Sequence, residues 1–438
     1  MSTAVQTNVS SYMYTQVVKN GKKKGKKKKK QKSTPISMTK SASTGRISSN
    51  HSNGLTSLSR SNTSENLKLP SISKEYPLSP RLTTPMRMPP ALNREILPTA
   101  CDRRKKMPLL NAIKPENEKS EKERFFRANY NYNPYFIYRF PAPPEVLERI
   151  STPSDKLLNI AILIMEIAID RYGSYEEFEN QTGGPVLGRS QIITLVKNYV
   201  KRENLENEIM LNLSEDLLSR GSMTRVKGKP TLNVRIVNLR QFWVEGLLRH
   251  EIGTHYLRSM NNKFQPWSNW KVRTELGMAP MNPTEEGLAS LHSVLLRKDP
   301  CLWRCALLYY TVYKAAHLSL KELFIDLGKF VNDPQVRWDY CIRAKRGQAD
   351  TSRPGAFCKD QVYLDGALQI LKNRRHLDFH SLLRYGKISY RDIDIISDIA
   401  ELEYTRIPSF MEDLHTYRGH LDRICDANGL TDDILLKV

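Results

Sequence analysis

The segment Arg249-His250-Glu251-Ile252-Gly253-Thr254-His255-Tyr256 places two imidazoles around a carboxylate at HExxxH spacing. Imidazole nitrogens are good donors for a divalent transition metal, and a carboxylate beside them can act as a general base toward water. A regular α-helix turns about 100° per residue, so residues five apart would point about 140° away from each other. A single π-type turn of about 4.4 residues reduces that divergence to roughly 50°, and such turns gather at functional sites. Gly253, a poor helix former between the two histidines, is the expected place for it. The alternative is that His250 and His255 are ordinary helix residues.

A metal centre needs a third donor, and the downstream segment Asn282-Pro283-Thr284-Glu285-Glu286-Gly287-Leu288-Ala289 offers carboxylates. Asn282 suits an N-cap, Pro283 suits the first helical position, and Glu285 is placed to reach back as in a capping box. That reading gives Glu285 a local task and leaves Glu286 free as a ligand. Glu275 is a rival nearer in sequence, without a helix start to support it. Two His and one Glu around Zn2+, with an open fourth position for water, form a catalytic set.

The elements that must position these groups are legible from periodicity. Helices are expected over 155–172, 190–203, 240–260, 283–297, 302–330 with a break near 317–319, and 360–372. Glu208–Leu213 and Thr231–Val237 have the alternating, β-branched character of strands, and Val226-Lys227-Gly228-Lys229-Pro230 supplies turn chemistry. The expected fold is α+β: a helix-rich domain with a small sheet. The run from Leu302 to Tyr313 and the thiols Cys301 and Cys305 read as core. His376 and His380 read as surface or packing residues.

On the residues His250-Glu251-Ile252-Gly253-Thr254-His255 and Thr284-Glu285-Glu286-Gly287-Leu288-Ala289, the chain resembles the microtubule-associated tyrosine carboxypeptidases, a group of HExxxH metallopeptidases. The resemblance covers roughly residues 120–438. It implies a zincin-like peptidase domain with His250, His255 and Glu286 as ligands of one Zn2+ and Glu251 as general base. It also implies removal of the C-terminal Tyr from the acidic tail of α-tubulin, and a cytoplasmic location on microtubules.

A carboxypeptidase must hold a free α-carboxylate, most simply with Arg, Lys or a phenol. Arg346 in the run Arg343–Gly347, Arg353 beyond it, and Lys359 and Tyr363 in the next segment are candidates; Tyr363 is also a candidate oxyanion donor. Lys229, with Arg225, Lys227 and Arg235, is the candidate for a basic groove that receives an acidic peptide.

Charge divides the chain. The 438 residues carry a formal +22, and residues 1–120 hold 24 Lys and Arg against 6 Asp and Glu, so +18 of it lies there. The lysine run 22–32 repels itself and offers nothing apolar to pack, so residues 1–120 are expected to be a disordered, basic, Ser/Pro-rich region, with Ser79 and Thr84 as proline-directed phosphorylation sites. Residues 121–438 are expected to form the catalytic domain.

Several classes are disfavoured on composition. The longest apolar stretch, 157–169, falls short of the roughly 20 residues a membrane span needs, and Met1–Gln6 does not open like a secretory leader. Six cysteines without CxxC spacing fit a reducing compartment. No nucleic-acid module accompanies the basic run, so no nucleic-acid partner is expected. The competing reading is a non-catalytic basic protein that binds microtubules or nucleic acid and keeps a vestigial metal site.

Overall fold

The computed structural model describes residues 109–438 apart from Arg149 and Leu218. The lysine run and the two Ser/Thr-Pro motifs lie outside the described residues. Among the described residues no helix is long and apolar enough to cross a membrane.

Helices dominate, around one three-stranded sheet. The strands are β1 (Met210–Ser214), β2 (Gly221–Val226) and β3 (Lys229–Arg235), in the order β1-β3-β2. β1 runs parallel to β3 and β2 antiparallel to it. The expected strands at 208–213 and 231–237 correspond to β1 and β3. β2 escaped detection because Gly221-Ser222-Met223-Thr224-Arg225 has too little apolar alternation to read as a strand. The expected turn shortens to Lys227-Gly228, which joins β2 to β3 with φ of 52° and 81°. Two positive φ values match the twist of a tight hairpin and explain the glycine.

The helices that matter for the site are α1 (Leu158–Tyr172), α2 (Gln241–Leu248), α3 (Asn282–Val294), α4 (Trp303–Ala315), α5 (Pro334–Ala344) and α6 (Val362–Lys372). α1 is buried through Ala161, Ile164, Met165 and Ala168, and α4 through most of its length, so these two form the centre of the larger core. Tyr309 and Tyr310 belong to that core, as their apolar neighbours predict. The helical run breaks where expected, and Ser319 with Glu322 forms a reciprocal capping box that starts the next helix.

A second, smaller core lies between the sheet and the histidine-bearing helix. Leu232 and Val234 of β3 meet Val244, Leu248, Ile252 and Tyr256. These four recur on one face of α2 and its continuation, so the sheet fixes the rotation of that helix about its axis. The opposite face carries His250 and His255 toward α3.

Candidate active site

α2 does not continue as a regular α-helix through the motif. Residues Arg249–Tyr256 form a π-helical segment, and α-helical winding resumes at Leu257. The expected widening is therefore present, and it spans eight residues rather than one turn. Gly253 is needed there for space: a Cβ would lie 2.7 Å from the Phe410 ring and 2.9 Å from the Tyr199 hydroxyl. The Thr254 hydroxyl donates to the Arg249 carbonyl five residues back at 2.9 Å and so helps satisfy the widened turn.

With the helix widened, His250 Nε2 and His255 Nε2 stand 3.2 Å apart, and His255 Nε2 is 3.6 Å from Glu286 Oε2. One donor atom from each of His250, His255 and Glu286 lies within 4.8 Å of the others. Two ligands about 2.05 Å from a tetrahedral centre stand about 3.3 Å apart, so the spacing suits one small divalent cation. The orientation suits it too. His250 Nδ1 faces the Ala289 carbonyl at 2.9 Å, and His255 Nδ1 faces Glu285 Oε1 at 2.6 Å. With Nδ1 of each ring donating to protein, the two Nε2 atoms are left facing each other. Two lone pairs facing each other across 3.2 Å would repel, and either a proton on one Nε2 or a cation bound between them relieves that.

The sequence-based role for Glu285 needs correction. Helix α3 begins at Asn282, preceded by Met281, and Glu285 does not turn back to cap it. Its carboxylate instead sits among His255, Lys387 and Arg258, with Arg258 Nη1 2.9 Å from Oε2. Arg258 is fully buried, and its approach is too oblique for a hydrogen bond, so this is a pairing of charges. Burial alone would raise the Glu285 pKa, but Lys387, Arg258 and His255 outweigh it and hold the carboxyl well below the usual range. Burial likewise opposes the His255 imidazolium, and the hydrogen bond to Glu285 together with the charge of Glu286 raises its proton affinity. Glu275, the rival ligand, is spent on a solvent-exposed pair with Lys271.

Glu251 lies beside the cluster, with Oε1 4.0 Å from His250 Nε2. Burial, offset in part by His255 and reinforced by Glu286, pushes its pKa up to about 7. A base that titrates near neutrality can both accept and return a proton. β2 is the edge strand on this side: Gly221 packs against Glu251, and Gly221, Ser222 and Met223 line the same cavity as the cluster.

That cavity has a volume of about 640 Å³ and is walled by β2, the histidine helix, α3, the start of α4 and residues from α5 and α6. Arg346, Lys359 and Tyr363 are in its wall, as is Arg343. Arg343 is held by Asp360 and reaches the Tyr363 hydroxyl at 3.3 Å. Burial, with the charge of Glu286 close by, lifts the Tyr363 phenol well above its ordinary pKa, so the group keeps its proton. Lys229, by contrast, is exposed at the start of β3 and outside the wall. Arg353 is also outside it, paired with Asp350 at 3.5 Å in solvent. Arg235 is paired with Asp339 at 3.4 Å.

Sequence reasoning missed Arg220, Arg297 and Arg304, which also face the cavity. No local pattern marks them, because they come from a loop, a helix end and a helix start brought together only by folding. Cys301 and Cys305 line the same space as buried free thiols. His376 and His380 lie elsewhere, with His380 Nε2 facing the Met411 carbonyl at 2.7 Å.

Comparison with known proteins agrees with the motif-level resemblance. A family model described as microtubule-associated tyrosine carboxypeptidase matches residues 187–427. The mouse protein MATCAP2 is 56% identical over 328 residues, which is 75% of this chain and 63% of that protein. Microtubule-associated tyrosine carboxypeptidase 1 is 50% identical in Mus musculus and 49% in Homo sapiens, each over 324 residues, or 74% of this chain and 69% of the relative. The chain thus spans just under two thirds of the length of one relative and slightly more of the others.

Proposed function

The chain belongs to the microtubule-associated tyrosine carboxypeptidase family, and from that premise we propose that it is a zinc-dependent carboxypeptidase that removes the terminal tyrosine from the acidic tail of α-tubulin. The observation that carries this reading is the convergence of His250, His255, Glu286 and Glu251 at one end of a cavity whose remaining wall is rich in cations.

His250 and His255, each through Nε2, and Glu286 through a carboxylate oxygen would hold the ion. When bound there, Zn2+ supplies Lewis acidity to the scissile carbonyl and lowers the pKa of water. Glu251 takes the proton from the attacking water and delivers it to the amino group of the departing tyrosine. β2 is an edge strand where Gly221–Met223 border the cavity, so an extended substrate can lie alongside it as a further strand. Tyr363 presents its hydroxyl proton toward developing negative charge on the carbonyl oxygen. Arg346 and Lys359 attract the acidic residues before the terminal tyrosine. A histidine helix beneath an edge strand that binds substrate is the sense in which the fold is zincin-like. Microtubules, for which these relatives are named, present an acidic surface, and the +18 of residues 1–120 suits attachment to it in the cytoplasm.

The test is metal content together with cleavage of an acidic peptide ending in Tyr, compared with the same peptide ending in Glu. Glu251→Gln should bind one zinc per chain and lose hydrolysis by a factor of about 100 to 10,000, the range a general base typically contributes. Wild-type protein that binds no zinc and cleaves neither peptide would favour the non-catalytic binding protein instead.

A further inference from the structure

Helices α2 and α3 run antiparallel, and the contacts between them can be followed away from the metal cluster. His250 Nδ1 meets the Ala289 carbonyl at 2.9 Å, and Arg249 Nε donates to the His292 carbonyl at 3.0 Å. One turn further, Gly246 packs so closely on Ser293 that a Cβ would stand 2.0 Å from its carbonyl oxygen. The series ends at Trp243, where the guanidinium of Arg297, on the turn that follows α3, lies 4.7 Å from the ring centre. Glu286, Ser290, Val294 and Arg297 recur every three or four residues and all line the cavity, so one face leads from the cluster to this pair. Trp243 precedes His250 by two helical turns, about 10.5 Å along the axis.

This end of the cavity has aromatic walls. Trp303, at the start of α4, stacks on Tyr175 with centroids 4.8 Å apart and planes 18° apart, and Trp243 lies 5.8 Å from Phe178. Trp243 and Trp303 are only 6% and 2% exposed. Three donors among these side chains, Arg297 Nε, Trp243 Nε1 and Trp303 Nε1, are buried without a hydrogen-bond partner. Buried donors without an acceptor are rare and unfavourable, and three at one end of one cavity call for an acceptor that a ligand brings. The walls restrict that ligand to a flat, largely apolar ring, and the donors require it to carry an oxygen.

Given the carboxypeptidase reading, on which this inference rests, we propose that this pocket receives the side chain of the substrate's last residue and selects tyrosine by its hydroxyl. The ring packs among Trp243, Trp303, Tyr175 and Phe178, and the phenolic oxygen accepts from the Arg297 guanidinium and an indole N–H. Reach decides which group of the last residue arrives there. Its α-carboxylate lies about 4 Å from the scissile carbonyl, which falls well short of two helical turns. By standard bond lengths a tyrosyl oxygen lies about 6.5 Å beyond its own Cα, and so about 9 Å from the scissile carbonyl. Phenylalanine fills the same walls but leaves the donors unpaired.

The experiment compares one acidic peptide ending in Tyr with the same peptide ending in Phe, using the zinc-loaded full chain. Wild-type protein should prefer Tyr by about 100-fold or more in kcat/KM, because a site built around a hydroxyl penalises the analogue that lacks it. Arg297→Met should cut turnover of the Tyr peptide far more than that of the Phe peptide, so that the preference collapses. A merely structural role for Arg297 on Trp243 would lower both alike. Trp303→Phe, which keeps the ring and removes the N–H, should reduce the preference by about tenfold. Zinc content and melting temperature show which variants fold; if Arg297→Met does not, Trp303→Phe and the wild-type ratio still decide. Equal turnover of Tyr and Phe peptides by wild-type protein, or an undiminished preference in folded Arg297→Met, overturns the assignment. Failure of the carboxypeptidase reading looks different: wild-type protein cleaves neither peptide. Binding of the two peptides to the intact protein then decides, with equal affinity against the pocket and tighter binding of the Tyr peptide in its favour.

Discussion

His255 Nδ1 stands 2.6 Å from Glu285 Oε1, and the same carboxylate is flanked by Lys387 and the buried Arg258. One residue of α3, adjacent to Glu286, therefore orients a histidine of the π-helical segment. It also ties that histidine to a loop more than a hundred residues away, where Arg258 donates to the carbonyls of Gly386 and Ile388 at 2.8 and 2.9 Å.

Glu285→Gln should retain the fold and weaken zinc binding by about 10- to 100-fold, the usual effect of losing a carboxylate behind a metal-ligating histidine. Competition against a chelator of known affinity measures it. Glu285→Ala should be worse for folding, because it leaves Arg258 buried and unpaired at a cost of about 3–5 kcal/mol. Unchanged zinc affinity in the glutamine variant would show that Glu285 serves the fold alone.

Gly287 and Gly366 let α3 and α6 approach closely enough to set Tyr363 near Glu286. A Cβ on Gly287 would lie 2.2 Å from the Gly366 carbonyl carbon, and one on Gly366 would lie 1.8 Å from the Pro283 oxygen. Either alanine must push backbone against backbone, so each should cost about 3 kcal/mol or more and lower zinc occupancy with it. Gly419→Ala is the control: nothing lies within 4 Å, and the residue is helical. It should gain up to about 1 kcal/mol. Thermal unfolding of the three variants separates these outcomes.

Acid stability should depend on His292, which is fully buried, with Nδ1 2.7 Å from the Thr254 hydroxyl and Nε2 2.9 Å from that of Tyr417. Burial first, then the charges of Arg249 and Arg258, push its pKa down to about 3. The unfolded chain takes up this proton below its ordinary value of about 6.5, whereas the folded chain does not. Its contribution is therefore complete above pH 6.5 and falls by about 1.4 kcal/mol per unit as the pH drops toward 3. Denaturant unfolding of metal-free protein at pH 7 and pH 5 should show His292→Gln losing less stability on acidification than wild type, by about 2 kcal/mol. An equal loss in both would remove His292 as the source.

Removing residues 1–108 should weaken attachment to microtubules and flatten its salt dependence while leaving turnover of a short peptide within about twofold, since the basic segment acts through screened, long-range charge. The cut belongs at 108 rather than 120, because the helix Glu118–Arg127 buries Phe125 in the larger core and Glu121 accepts from Tyr132 at 2.7 Å. Co-sedimentation at two salt concentrations, beside peptide kinetics, checks both halves.

The spacing of His250, Glu251 and His255 was enough to foresee a widened turn at Gly253, because residues five apart on one helix are governed by local winding. The amphipathic helices were legible for the same reason, their spacing being a property of a few consecutive residues. The third strand was not, since Gly221–Val226 is held by its pairing with β3 rather than by its own side chains. Glu285 was misassigned because its local option, capping, competes with charged partners at His255, Arg258 and Lys387 that no local pattern brings near. Arg304 was invisible, as one arginine among many, until α4 was placed against α5 and α6. Sequence determined which groups were present and how one helix winds; tertiary structure decided which charges meet, because pairing across the fold depends on distances that no short segment encodes.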